Sequence, residues 1–315
     1  MAVYRCIDEL IGATPTLDVT ALSPNPAVRM YAKLEGQNPT GSVKDRVALA
    51  MLDRAEAEGR LRPGSVILEP SSGNTGIALA MLGLRRGYRI KIVLPGNVTA
   101  ERRQMLEIYG AEIIASPPEQ GSNGAVRLAT ELARANPDWT MLYQYGNEAN
   151  PQMHYCTTGP EILADVPDVT HFVAGLGTSG TLLGVGRYLK EHAPGVQVWA
   201  VEPPAGEQVE GLRSLDDGYV PPIFEAWGGV ELLDRKMIVR PRESIEATRM
   251  LTAQGVFSGI SGGAALAGAR KAADRIDEGA IVFVVCDHGW KYLSVGAWTA
   301  DLEDAVAHAE NVIYF

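Results

Sequence analysis

Short β-branched runs alternate with helical patterns along nearly all of this chain, and no other feature restricts its fold as much. The runs lie at 66–69, 90–94, 112–115, 141–144, 170–174, 196–201 and 280–286. Apolar spacing predicts helices over 43–58, 75–86, 100–109, 121–135, 151–164, 180–191, 243–254 and 262–275. Strands separated by helices of that length need crossover connections. The fold class is therefore α/β, with doubly wound, mostly parallel sheets. A chain of 315 residues is long for one such unit, so two α/β domains are expected. The predicted seam lies near Asn147–Pro151, giving a smaller domain over 1–150 and a larger one over 151–315. Residues 203–235, rich in Pro, Gly and Asp, read as an irregular excursion, and the end from Leu302 reads as an amphipathic helix closing on Val312–Phe315.

Ligands of open α/β sheets sit at the carboxyl ends of the strands, so the strand-to-helix turns are the places to search. Three are built from Gly, Ser, Thr and Asn. Glu69-Pro-Ser71-Ser72-Gly73-Asn74-Thr75-Gly76 offers hydroxyls and amides at a helix start, which suits a carboxylate. Gly175-Leu-Gly177-Thr178-Ser179-Gly180-Thr181 matches the dinucleotide fingerprint, with Glu202 where a ribose-binding acid would stand. Its hydroxyls fit a phosphate monoester better, it sits mid-chain, and no Gly-Lys-Ser/Thr makes it a P-loop. Ser258-Gly-Ile-Ser261-Gly-Gly263 is the third.

A fourth turn, Asn38-Pro-Thr-Gly-Ser42-Val-Lys44-Asp45-Arg46, opens a helix whose face is Val43, Val47, Met51 and Ala55. Ser42 with Asp45 has the capping-box pattern. Lys44 falls in the first turn, where the helix dipole disfavours a cation, and a neutral amine is what Schiff-base chemistry needs. The net charge of −10 argues against nucleic acid and anionic membranes as partners, so any bound anion must be held by local groups. No metal-ligand spacing stands out: His154-x-Cys156 lacks companions. Three unpaired cysteines (Cys6, Cys156, Cys286) without a signal peptide or spanning segment point to a reducing cytoplasm. Cys286 ends an apolar run and reads as a buried strand residue. A phosphate cup, a carboxylate cup, a poised lysine and a lone hydroxyl together fit pyridoxal 5'-phosphate acting on an amino acid.

These motifs, with Thr158-Gly-Pro-Glu161, carry a resemblance over essentially the whole chain. It resembles the cysteine synthase family of fold-type II pyridoxal-phosphate enzymes, the cysteine synthase B branch most, and within it the O-phosphoserine sulfhydrylases. The resemblance implies that residues about 12–34 pack on the larger domain. It makes Lys44 the Schiff-base lysine and places Asn74 on the cofactor's ring oxygen. Gly177, Thr178, Ser179, Gly180 and Thr181 are then the phosphate ligands, and Ser261 faces the pyridine nitrogen. Ser71, Ser72, Gly73, Thr75 and Gln144 would hold the substrate carboxylate, and Arg213 would receive a substrate phosphate. The family usually has threonine at Ser71 and another small residue at Ser179. His288-Gly-Trp-Lys-Tyr292 and Asp287 are expected near the ring's edge.

The implied reaction is β-replacement on O-phosphoserine or O-acetylserine through an aminoacrylate, giving L-cysteine. The sulfur comes from sulfide, thiosulfate or a thiocarboxylated carrier protein, and the enzyme is a homodimer. The apolar tail either lids the site or packs in the dimer. Other readings are a cystathionine synthase or serine/threonine dehydratase, a nicotinamide oxidoreductase, and an inactive scaffold.

Overall fold

The computed structural model describes residues 3–71 and 73–311, without the side chains of Glu310 and Asn311. Its strands are β1 (Thr16–Asp18), β2 (Val28–Leu34), β3 (Val66–Pro70), β4 (Arg89–Pro95), β5 (Glu112–Ser116), β6 (Trp139–Met141), β7 (His171–Gly175), β8 (Gln197–Glu202), β9 (Arg235–Ile238) and β10 (Gly279–Val285). Its helices are α1 (Lys44–Ala57), α2 (Asn74–Arg86), α3 (Ala100–Ile108), α4 (Gly121–Ala135), α5 (Ala149–Cys156), α6 (Thr158–Asp165), α7 (Gly180–His192), α8 (Pro222–Ala226), α9 (Pro241–Ala253), α10 (Ile260–Ala273) and α11 (Leu302–Asn311). One sheet runs β1-β2-β10-β7-β8-β9 and the other β5-β4-β3-β6. Only the β1–β2 pair is antiparallel among the described strands.

Helices cover both faces of each sheet, and the central strands show it. β3 is buried along its whole length, as is β10 after its first glycine. Such strands read as continuous apolar runs, the signal used above. β1, β2 and β9 carried no such signal. β2 contains Lys33, which is buried only because Glu161 (3.1 Å) and Asp165 (3.2 Å) neutralise it and Thr14 O accepts from it. Its partner strand is β10, with Val28 opposite Gly279. Thus the first strands belong to the sheet that the last strand completes.

Three local expectations need correction. The predicted strand 141–144 ends at Met141, because the buried Glu69 carboxylate takes the backbone N–H groups of Tyr143 (2.7 Å) and Gln144 (2.9 Å). Tyr143 is bent to φ +58°, and that turn delivers Gln144 to the cleft described below. The predicted helix 151–164 is two helices, broken at Thr157 (φ −127°). Pro160, which lacks an N–H, is tolerated in the first turn of α6 but not inside one longer helix. The Ser42/Asp45 capping box does not form. Asp45 instead accepts from Thr40 N (2.6 Å) and the Thr40 hydroxyl, and burial pushes its pKa up to about 6. The predicted C-terminal helix spans Leu302–Asn311 and docks through Ala305 and Ala309 beside Ile245 and Tyr292. Val312–Phe315 lie outside the described residues. No helix among the described residues is long and apolar enough to cross a membrane.

A buried charge network fixes where α1 begins. Arg46 bonds Glu35 through Nε (2.8 Å) and Nη2 (2.9 Å), and Glu161 through Nη1 and Nη2 (2.7 Å each). Thus Glu161 of α6 anchors both Lys33 and Arg46. Removing one partner from such a network leaves a buried charge uncompensated. Arg46→Ala is expected to lower unfolding free energy by about 3–5 kcal/mol, read as a lower urea midpoint. A loss under about 1 kcal/mol would mean that the network is dispensable.

Candidate active site

The turn ahead of α1 is stitched to the segment that follows β10. Val43 N donates to Cys286 O (2.8 Å), His288 N donates to Gly41 O (3.2 Å), and Ser42 bridges Asp287. Gly41 sits at φ +79°, where a Cβ would lie 2.7 Å from the Trp290 ring. This stitching brings the first residue of α1, Lys44, to the carboxyl end of the six-stranded sheet. The turns after β3 and β7 and the start of α10 arrive at the same place. One cleft results, whose walls include Lys44, Ser71, Gly73, Asn74, Thr75, Gln144, Thr178 and Ser261. Those eight candidates, drawn from turns more than 200 residues apart, are brought together. Ser72 lies outside the described residues.

The carboxylate turn is ordered by its own hydroxyls. Ser71 Oγ accepts from Gly73 N (3.3 Å) and Gly76 N (3.1 Å). Thr75 Oγ1 donates to Gln144 Oε1 (2.6 Å), which ties the turn to the bent segment after β6. The turn stands at the N-terminus of α2, the positive end of a 13-residue helix.

Gly177 and Ser179 flank Thr178 between β7 and α7, and Gly180 and Thr181 open α7. Ser179 is held at φ +73°, an unfavourable conformation for a residue with a Cβ. Its hydroxyl is buried with no hydrogen-bond partner among the described residues. A Cβ at Gly180 would fall 1.9 Å from Asn150 Oδ1, and one at Gly177 would fall 2.6 Å from Gly211 O. Strain, an orphaned hydroxyl and a helix N-terminus fit a phosphate group. Two residues that sequence reasoning did not assign hold this loop. Asn150 Nδ2 donates to Thr178 Oγ1 (3.1 Å), and His154 Nε2 lies 3.1 Å from Thr181 Oγ1. His154 also meets Thr158 Oγ1 (2.9 Å), and its burial drives its pKa well down, so the ring is a neutral brace. The His154-x-Cys156 pair was the only trace of it in the sequence.

Asn74 opens α2 and meets Asp287, Lys291 and Tyr292, from the segment expected near the ring's edge. Its Nδ2 donates to Asp287 Oδ2 (2.7 Å), and its Oδ1 accepts from Lys291 Nζ (2.6 Å). The Tyr292 hydroxyl donates to the same Asp287 oxygen. Nearby, Arg102 pairs with Glu210 and lies 4.5 Å over the Tyr292 ring; all three line the cleft. Ser261, in the first turn of α10, is 6% exposed and borders the cleft beside Cys286. Burial pushes the Cys286 thiol up to about 11, which leaves it protonated and a poor nucleophile at neutral pH.

Arg213 does not line this cleft. Its guanidinium stands behind Tyr145, a wall residue, 5.0 Å over that ring and 4.9 Å over the Tyr219 ring. Nη2 donates to the Tyr145 hydroxyl (3.4 Å) and Nη1 to Asn123 Oδ1 (3.2 Å). It borders an adjoining cavity with Asn123, Gln208 and Ser214. Glu202, the acid that a dinucleotide reading needs, is fully buried, accepts from Leu215 N (3.0 Å) and pairs with Lys236 (2.7 Å). It is committed to structure, which removes the ribose ligand from that reading.

Comparison with known proteins agrees with the geometry. The family described as pyridoxal-phosphate dependent enzyme matches residues 7–287. Cysteine synthase B of Escherichia coli (strain K12) is 40% identical over 294 residues, covering 93% of this chain and 95% of the relative. The solved structure of O-ureido-L-serine synthase superposes with a TM-score of 0.87 at 36% identity, covering 96% of each chain. That of cysteine synthase from Entamoeba histolytica superposes at 0.87 and 31% identity, covering 98% of this chain and 96% of the other.

Proposed function

We propose, from the premise that this chain belongs to the cysteine synthase family of pyridoxal-phosphate dependent enzymes, that it replaces the phosphate of O-phospho-L-serine with a sulfur nucleophile and so makes L-cysteine. The observation that carries this reading is the single cleft walled by Lys44, the Ser71–Thr75 turn, Thr178 and Ser261. The residues present fit the cofactor. Lys44 would hold it covalently, Gly177–Thr181 its phosphate, Asn74 its ring oxygen and Ser261 its ring nitrogen. When bound, it supplies an electron sink for charge developing at the substrate's α-carbon.

The chain's own groups do the rest. Ser71, Gly73, Thr75 and Gln144 receive the substrate carboxylate at the N-terminus of α2, with Ser72 completing that set. This orients the α-carbon hydrogen toward Lys44. The Lys44 amine takes that proton as a general base and returns it at the end. Ser261 offers a neutral hydroxyl where other enzymes of this chemistry place a carboxylate, and a neutral partner weakens the sink. A weak sink favours prompt loss of the β-substituent over longer-lived carbanion chemistry.

Arg213 is the residue that selects phosphate as that substituent. Arginine is permanently charged, and with Arg102 of the cleft wall paired to Glu210, the Arg213 guanidinium behind Tyr145 favours an anionic leaving group through its charge. The nucleophile in this reading is sulfide, a thiocarboxylated carrier protein being the other source of sulfur, and the enzyme is a cytoplasmic homodimer. With pyridoxal phosphate and sulfide supplied, cysteine is expected to form at least about tenfold faster from O-phosphoserine than from O-acetylserine, since one charge-assisted contact is worth about 1.5–3 kcal/mol. Equal rates would remove the phosphate preference, and no cysteine from either would overturn the reaction itself.

A further inference from the structure

Lys291 is completely buried, yet neither acceptor on its ammonium is a carboxylate. Nζ donates to the backbone oxygen of Gly41 (3.2 Å) and to Asn74 Oδ1 (2.6 Å). Its main-chain oxygen is pinned by the Thr99 hydroxyl (2.9 Å). Burying a charge on neutral partners is costly. Here the cost shows as a pKa brought down to about 8 by desolvation. The arrangement makes sense through what it does to Asn74.

An asparagine amide has an oxygen that only accepts and a nitrogen that only donates. An ammonium has no lone pair, and an ionised carboxylate has no hydrogen. Between Lys291 on one side and Asp287 on the other, only one rotamer of the amide is satisfied: Oδ1 to Nζ, Nδ2 to Oδ2. The flipped amide would set NH₂ against ammonium and oxygen against carboxylate, two repulsions in a buried place. One Nδ2 hydrogen is donated to Asp287 (2.7 Å), and the other makes only a long bond to the Tyr292 hydroxyl (3.5 Å), which a ligand oxygen in the cleft would displace. Because Asn74 lines the cleft, a ligand there meets a donor at this position and not an acceptor.

We propose that Lys291 is a positioning residue, which together with Asp287 locks the Asn74 amide with its N–H available to the cofactor's ring oxygen. The inference rests on the reading that pyridoxal phosphate occupies this cleft with its ring oxygen at Asn74. Donation to that oxygen favours its charged form, and the charged form carries the cofactor's visible absorption band at the expense of the near-ultraviolet one. Lys291 therefore acts on the cofactor without touching it.

The test uses the full-length apoprotein titrated with pyridoxal phosphate, reading affinity and the ratio of the two bands. Lys291→Met is expected to weaken cofactor affinity about tenfold, one charge-assisted hydrogen bond's worth, and to move the ratio toward the near-ultraviolet band. Asn74→Ala should do the same, and Lys291→Met added to Asn74→Ala should do nothing more, because both act through one amide. Lys291→Gln, whose amide can accept as well as donate, removes the donor-only constraint and should also move the ratio toward the near-ultraviolet band. A folded Lys291→Met or Lys291→Gln with wild-type bands, or additive effects in the double variant, would each overturn the proposal. Should Lys291→Met not fold, the Lys291→Gln result decides. Wild-type protein that takes up no pyridoxal phosphate would instead overturn the reading of the cleft, which is a separable outcome.

Discussion

Lys44→Ala is expected to abolish turnover, by on the order of 10⁴-fold or more, while leaving the fold intact. The size follows from two tasks lost together. Lys44 would hold the cofactor covalently and would move the α-carbon proton, and positioned proton transfer alone is worth about 10²–10⁴-fold. The fold should survive because Lys44 contributes little to the contacts that start α1. The buried anchor there is Arg46 on Glu35 and Glu161, and Val43, not Lys44, bonds back to Cys286. Two measurements separate this from general damage. Borohydride reduction followed by intact-mass analysis should add the cofactor's mass to wild-type protein and not to Lys44→Ala. Circular dichroism should be unchanged. A Lys44→Ala protein that still turns over, or that is still labelled, would sink the assignment.

Arg213→Ala should discriminate between substrates more than any other change outside the cleft. Activity with O-phosphoserine is expected to fall about 100-fold, because truncating a charge partner of a buried anion costs about 2–5 kcal/mol. Activity with O-acetylserine should stay within about threefold, since that substrate carries no phosphate and a change away from its contacts is worth only about 0.5 kcal/mol. Arg213 rests on two tyrosine rings, which position its guanidinium. Tyr145 is the link to the cleft, as it both lines that cleft and meets Arg213 Nη2. Comparing kcat/KM for both substrates in the variant and the wild type settles the matter. Equal losses on the two would make Arg213 a structural residue of the 203–235 excursion and return the choice of leaving group to the cleft walls.

Much of the site was legible because its signals are local. Lys44, Asn74, the Ser71–Thr75 turn, the Gly177–Thr181 turn and Ser261 each sit where a strand or turn hands over to a helix, and Gly, Ser, Thr and Asn at such junctions have few other uses. The supporting residues had no such signal. Asn150 stands at the predicted seam and His154 inside an ordinary-looking helical stretch, and their partners Thr178 and Thr181 come 28 and 27 residues later. Lys291 belongs to the His288–Tyr292 stretch expected near the ring's edge, but nothing in that stretch ties it to Asn74. Where local reasoning erred, a partner outside the expected pattern had overruled it. Asp45 turned to Thr40 and not to Ser42, and Glu69 bent the chain at Tyr143 after β6.

By itself the sequence determined the alternation of strands and helices, the α/β class and the turns that hold chemistry, since periodicity, caps and glycine-rich junctions act within a few residues. Only the tertiary structure decided the register of β2 on β10, that Glu202 is spent on Lys236 and Leu215, and that Arg213 stands behind Tyr145. It also decided which way the Asn74 amide points. That choice is set by Asp287 and Lys291, 213 and 217 residues away along the chain. A buried donor or acceptor must be matched by whatever the fold brings beside it, and no local pattern names a partner at that distance.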